Sequence, residues 1–459
     1  MKFVFKSFGC QMNKLDTALV TSALIEAGFD PTENVKESDV VLINTCSVRR
    51  HAEQRVLSHL GHLKHIKRAR PDLIVAVIGC MAQRLGDKLL EHEAVNIVCG
   101  PAQIPQIPDL LTAAIEQSKK ELAITEKIRQ GTPDRQADAL ERFESAADNS
   151  DKQIPGQAFV RVMRGCDKFC TYCIVPYVRG PEVSRPPESI ISQIKNLANE
   201  GVKQVTLLGQ AVNSYEYKAD DKTYSLADLL AMAGDVKGIE WIKFVTNYPA
   251  EKYMDNILQV MADSPRVCPY LHIPAQSGSD KILRAMNRRY TASEYLGLLD
   301  RARDIVPDIA IAGDFIVGFP GETKEDFQAT VELLRKAKYR NCFIFKYSPR
   351  PGTTADKKLE DNIPADVKQR RNVELLAEQE KISDELSRGF LGKEVTVLIE
   401  GPSKKPHLNS AQSGGNPQLL GRTATDYIVV FNGPESLAGR FAKLKITKTS
   451  PLTLFGKLI

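Results

Sequence analysis

Residues Arg161 to Gly180 read RVMRGCDKFCTYCIVPYVRG. A strand-like run, AFVRVM, leads in, and three cysteines follow: Cys166, Cys170 and Cys173, spaced C-x3-C-x2-C. No fourth cysteine follows nearby to complete the set. Thiolates are soft ligands that favour zinc, copper(I) or iron–sulfur clusters. A closed zinc site takes four ligands, and a cubane held by cysteine alone also takes four. Three thiolates on a tight loop therefore point to a cluster with one iron left for a non-protein ligand. The alternative is three unliganded core cysteines, which this spacing beside Gly165 disfavours.

The run resembles the radical S-adenosylmethionine (SAM) superfamily, whose hallmark is C-x3-C-x2-C with an aromatic before the last cysteine. Tyr172 holds that place. The longer word GCDKFCTYCIVPYVRGPEVSRP resembles the methylthiotransferase branch of that superfamily. The resemblance implies a [4Fe-4S] cluster whose open iron binds SAM, and reductive cleavage of SAM to a 5′-deoxyadenosyl radical. The cofactor carries that chemistry; the protein positions and shields it.

A chain of 459 residues predicts two to four domains. Apolar content of 42% and charged content of 26% are those of an ordinary globular protein. No apolar run reaches the roughly 18 residues of a membrane span. MKFVFKSFGC alternates like a strand and lacks a signal-peptide core. Nine cysteines in that context predict a reducing, cytoplasmic setting, and metal or redox use rather than disulfides.

The net charge of +5 is informative only in its placement. From Gly389 to Ile459 there are nine Lys/Arg and four Asp/Glu, so the whole excess lies in the last 71 residues. Such a patch is a nucleic-acid footprint or a solvated lysine-rich surface.

Residues 1 to about 115 alternate apolar strands with helical patterns, as in an open parallel α/β domain. KFVFKSF runs to Cys10, SDVVLINT to Cys46 and LIVAVIG to Cys80. In such a sheet the ligand crevice lies outside the carboxyl ends of the strands. Three strands each ending at a cysteine therefore predict three thiolates on one edge and a second cluster site. FGCQMNKLDT, NTCSVRRHAEQR and IGCMAQRLG resemble the N-terminal domain of methylthiotransferases, which implies an auxiliary [4Fe-4S] cluster on Cys10, Cys46 and Cys80. Cys99 reads as a buried structural residue. His59, His62 and His65 read as a solvated basic helix face.

Residues 116–155 are polar and charge-mixed and read as an exposed linker. From 156 to 388 the alternation resumes. Six strands, each with a Gly-rich or polar word at its carboxyl end, predict a (β/α)6 partial barrel with its site on that face. Thr291 and Glu294 have capping-box spacing. In the family, GQAVNSY (Gly209, Gln210, Asn213, Ser214, Tyr215), PAQSGS (with Ser277) and GFPGE (Gly318 to Glu322) lie at the SAM site. The implied SAM contacts are Gly209, Gln210, Asn213, Ser277, Gly318 and Glu322. Glycine admits close backbone approach, and amides or hydroxyls bond a ribose or carboxylate. Cys268 and Cys342 read as packed core.

Residues 389–459 carry short strands with Gly/Pro turns, which predict a small antiparallel OB-like β-barrel. The segment resembles the TRAM domain, an RNA-binding module. Its basic charge would attract phosphate without reading sequence.

The resemblance implies methylthiolation of N6-isopentenyladenosine 37 in tRNA, with NTCSVRRHAEQR and YSPRPGT carrying that choice. The runner-up is threonylcarbamoyladenosine 37. A different class is a non-catalytic iron–sulfur RNA-binding regulator, which would not need GFPGET and GQAVNSY. The expected partners are a tRNA anticodon stem-loop, an electron donor and a sulfur source, with no membrane and a monomeric state.

Overall fold

Val40–Thr45 and Ile74–Gly79 are buried at every residue, the mark of parallel strands covered on both faces. The computed structural model describes residues 1–47, 50–117, 119–126, 128–130, 134–146, 154–250, 252–403 and 417–459. The N-terminal sheet comprises β1 (Lys2–Phe8), β2 (Asp30–Pro31), β3 (Val40–Thr45), β4 (Ile74–Gly79), β5 (Ile97–Cys99) and β6 (Glu121–Ala123). Its order is β2-β1-β3-β4-β5-β6, and every pairing is parallel. Helix α1 (Gln11–Glu26) buries Val20 and Leu24 on one face of the sheet. Helix α2 (Arg50–Ala69) buries Val56, Leu60 and Leu63 on the other. His59, His62 and His65 lie exposed along α2, as the basic-face reading predicts.

The expected linker 116–155 is largely folded into the domain. β6 adds a sixth strand beside β5. Helix Asp134–Ala146 buries Leu140 in the N-terminal core and Glu144 in an ion cluster with the next domain. Polarity misled here because these residues are satisfied by charge pairing rather than by water. Residues 131–133 and 147–153 of that stretch lie outside the described residues, as do 404–416 of the C-terminal loop.

The central domain carries six parallel strands: β7 (Gln157–Arg161), β8 (Gln204–Leu208), β9 (Trp241–Val245), β10 (Tyr270–His272), β11 (Ala310–Val317) and β12 (Asn341–Lys346). They pair as β7-β8-β9 and β10-β11-β12. An Ile242–Val267 bridge links the halves. β7 and β12 remain edges, so the barrel stays open, as expected of a (β/α)6 partial barrel. The long helix Ala365–Arg388 covers β12, where Asn372 Nδ2 donates to the Ile344 carbonyl at 2.9 Å. The Thr291–Glu294 capping box forms.

α1 has a second apolar side. Met12, Leu15 and Leu19 pack with Leu208, Phe159 and Val245 of the barrel. One helix thus lies between sheet and barrel, and it brings Cys10 at its N-terminus toward the central domain.

The C-terminal strands β13 (Glu394–Pro402), β14 (Gln418–Thr423), β15 (Ile428–Asn432), β16 (Phe441–Thr449) and β17 (Thr453–Leu458) close a barrel in the order β13-β14-β15-β17-β16. Four pairings are antiparallel; β15 and β17 pair parallel, where a wholly antiparallel barrel was expected. That parallel step lets a five-stranded chain close on itself. Among the described residues no helix is long and apolar enough to cross a membrane.

Candidate metal centres and cofactor loops

β1, β3 and β4 are neighbours whose registers align Phe8 with Thr45 and Thr45 with Gly79. Cys10, Cys46 and Cys80 leave the ends of these strands, so the sheet brings them to one edge. A buried amide network joins the three loops. Asn13 Nδ2 donates to Asn44 Oδ1 at 2.7 Å and to the Thr45 carbonyl at 2.9 Å. Thr45 Oγ1 donates to the Ile78 carbonyl at 2.7 Å. The Cys10 thiol donates to Asn13 Oδ1 at 3.3 Å. A hydrogen bond with Cys46 pulls the Cys10 thiol down to about 6, and Arg179 assists. Burial pushes Cys80 up, against the pull of Arg179. A thiol whose pKa is lowered gives up its proton to a metal more readily.

The second triad sits on the loop after β7. Gly165 has φ +69°, and a Cβ there would lie 1.8 Å from the Pro181 carbonyl oxygen, so the loop turns back tightly. The Cys166 amide donates to the Gly180 carbonyl at 3.1 Å, and the Cys173 amide to the Cys170 carbonyl at 2.9 Å. The Thr171 hydroxyl donates to the Ala285 carbonyl at 2.8 Å, and Asn287 Nδ2 to the Phe169 carbonyl at 2.9 Å. Burial pushes Cys166 up to about 12 and raises Cys173 as well. Such thiols become good ligands when bound iron supplies the missing positive charge. Arg288 donates to Cys170 Sγ at 3.3 Å and lies over the Tyr248 ring, 4.5 Å from its centroid.

Among the described residues no three His, Cys, Asp or Glu side chains crowd closely enough for a single ion. The six thiols, three from each site, are a soft all-sulfur donor set, which suits iron–sulfur clusters rather than a hard oxygen-ligated ion.

The loop words occupy the barrel's carboxyl face, and several are braced internally. Asn213 Nδ2 donates to the Tyr248 carbonyl at 2.8 Å, and its Oδ1 accepts from the Tyr248 amide at 2.8 Å. Its amide therefore sets one loop against the next. Gly209 is buried against Met163, and Gln210 is half-buried beside it. Ser277 Oγ accepts from the Ser279 amide at 3.2 Å, beside Thr330. Glu322 Oε2 accepts from the Gly318 amide at 2.7 Å and from Arg371 at 2.6 Å. Burial raises its carboxyl pKa, restrained by Gly318 and Arg371. Gly318 has φ +71°, and a Cβ there would meet Lys368 Cγ at 2.3 Å. Glu322 Oε1 is buried and has no hydrogen-bond partner among the described residues.

Inside the open barrel, Phe343 on β12 is 46% exposed. Its ring lies 6.4 Å from His272, whose Nε2 is 3.4 Å from Asp314 Oδ2. Cys99, Cys268 and Cys342 are buried core, as read from sequence.

Sequence reasoning missed Asn13, Asp16, Arg179 and Arg288. A signal existed for two of them: Cys10, Asn13 and Asp16 recur every third residue and share one helix face. Arg179 and Arg288 carry no local signal.

Residues 2–100 match the uncharacterized protein family UPF0004, residues 160–334 the radical SAM superfamily, and residues 388–459 the TRAM domain. The chain is 42% identical over 454 residues to tRNA-2-methylthio-N(6)-dimethylallyladenosine synthase of Rhodopirellula baltica, spanning 99% of this chain and 94% of the relative. It is 40% identical over 460 residues to the enzyme of the same name from Parabacteroides distasonis, spanning 99% and 95%. It is likewise 40% identical over 465 residues to that of Thermotoga petrophila, spanning 100% and 97%. Among solved structures, the radical SAM methyltransferase TsrM of Kitasatospora setae superposes with a TM-score of 0.52 at 15% identity, over 75% of this chain and 72% of that one. That likeness concerns the fold alone.

Proposed function

The chain belongs to the radical SAM methylthiotransferase family, and from that premise we propose that it converts N6-isopentenyladenosine 37 of tRNA to its 2-methylthio derivative. The carrying observation is the pair of thiol triads, one at the edge of each domain, joined across the interface by Arg179. The relatives' shared dimethylallyl name favours the isopentenyl substrate over the threonylcarbamoyl one. The intact SAM-site words disfavour a non-catalytic regulator.

Cys166, Cys170 and Cys173 would hold the SAM-cleaving [4Fe-4S] cluster, and Cys10, Cys46 and Cys80 the auxiliary one. When bound, the clusters and SAM supply the radical and sulfur chemistry that places a methylthio group on an unactivated carbon. The protein contributes position and exclusion of water. Gly209, Gln210 and Gly318 bring backbone to the cofactor loops, while Asn213, Ser277 and Glu322 hold those loops in place. Phe343 offers an aromatic face in the open barrel on which a base or prenyl group can pack. Exposed Lys443, Lys445 and Lys457 on β16 and β17 would attract tRNA phosphates.

The test is anaerobic reconstitution, then nucleoside mass spectrometry on tRNA lacking the methylthio group. The expected product is 2-methylthio-N6-isopentenyladenosine, with 5′-deoxyadenosine formed. Product on threonylcarbamoyladenosine alone would overturn the substrate. A Cys10→Ala, Cys46→Ala, Cys80→Ala variant should still cleave SAM but form no product.

A further inference from the structure

Among the described residues each thiol triad receives one guanidinium on a sulfur, and the two come from different places. Arg288 reaches Cys170 from within the same barrel. Arg179 lies on the loop that follows Cys173, yet its Nε donates to Cys80 Sγ at 3.2 Å, in the other triad. A second nitrogen donates to Asp16 Oδ2 at 3.0 Å, on the helix that follows Cys10. The Arg179 side chain is 7% exposed. Ile174 and Val178 of the same loop pack directly on Cys80, with Tyr177 against them. The wall around Cys80 is thus built partly by the central domain, and the N-terminal triad is incomplete without it.

Resting on the two-cluster reading above, we infer that Arg179 is a positioning residue for the auxiliary cluster, donated by the loop that carries the radical-generating triad. A charged donor on a ligand sulfur stabilises added negative charge, and hydrogen bonds to sulfur set cluster potentials. Asp16 orients Arg179, so the auxiliary site acquires its full electrostatic environment only when the domains are docked. A residue that merely braced the interface would affect stability and leave the cluster's potential unmoved.

The experiment uses the full-length chain with Cys166, Cys170 and Cys173 replaced by alanine, so that bound iron reports on Cys10, Cys46 and Cys80. Into this parent go Arg179→Gln, Arg179→Lys or Leu15→Ala; the last loosens the same interface without touching a thiol. Redox titration followed by EPR should show a lower midpoint potential and an altered signal for Arg179→Gln. Arg179→Lys should recover most of the parent value. Leu15→Ala should lower the melting temperature and leave the potential at the parent value. Cluster loss in Arg179→Gln alone, with the other two variants still loaded, supports the same assignment. A loaded Arg179→Gln variant with parental potential and signal overturns it. A parent that binds no iron–sulfur cluster overturns the two-cluster reading itself, and this inference with it.

Discussion

Asp16 holds Arg179 at 3.0 Å, and its other carboxylate oxygen is taken by Arg161 of β7. One side chain of the N-terminal domain therefore fastens two guanidiniums of the barrel. Arg161 also pairs with Glu144 of helix Asp134–Ala146, so three segments meet in one buried ion cluster. Burial alone would raise the Asp16 pKa, but Arg161 and Arg179 outweigh it and hold the carboxyl below its ordinary 3.8. Removing one partner from such a set leaves buried charge uncompensated.

Asp16→Asn should cost about 3 kcal/mol of stability at neutral pH. The sign of its pH dependence follows from the lowered pKa. The ion pairs contribute fully above the ordinary value of 3.8 and fade as pH falls through the lower folded-state value. The gap between wild type and Asp16→Asn, read by thermal melting of the metal-free chain, should therefore narrow below that pH. A constant gap from neutral to strongly acid pH would show that Asp16 does not act through its charge.

Trp241 at the start of β9 meets Phe441 of β16, with ring centroids 4.7 Å apart at 73°. Lys243 Nζ reaches Asp426 at 3.1 Å and the Thr423 carbonyl at 3.4 Å, so a turn of the C-terminal barrel is fastened to β9. Trp241→Ala should cost about 3 kcal/mol. It should also speed proteolytic release of residues 389–459 and weaken tRNA binding, while SAM cleavage without tRNA persists. Unchanged proteolysis would place the docking energy elsewhere.

Alanine at Gly165 cannot be accommodated beside the Pro181 carbonyl oxygen without moving the loop, because the clash is with backbone. Gly165→Ala should lower iron per reconstituted chain by about half, since each triad would hold one four-iron cluster. The Cys10 triad should stay loaded. A full iron complement would mean that the Cys166 loop tolerates the shift.

Glu322 ties the Gly318 amide to Arg371 of the long helix. Glu322→Gln keeps an acceptor but loses the charge on Arg371. Charge-assisted hydrogen bonds contribute about 1.5–3 kcal/mol, so SAM affinity should fall about tenfold or more. Equilibrium dialysis of the reconstituted protein measures it. Wild-type affinity would mean that the loop keeps its shape without the ion pair.

Lys445 and Lys457 are register partners on the C-terminal barrel and both are exposed. If both contact phosphate, replacing them with alanine should weaken tRNA binding and reduce the salt slope by about 2. An unchanged slope would move the RNA contact to another face.

Two triads of cysteines, three modules and the loop words of the barrel face are legible in the primary structure. These follow from short-range physics: strand periodicity, a cysteine at each strand end, glycine where the chain must turn. The partners of those groups follow only from the assembled fold. Arg179 and Asp16 are 163 positions apart, and no local pattern links them. Asn213 reads from the family resemblance as a SAM contact, and in the fold its amide is engaged by the Tyr248 backbone. The polar stretch around Glu121 and Glu144 reads as solvated and is instead folded in, because a buried charge is tolerated where opposite charges arrive from distant segments.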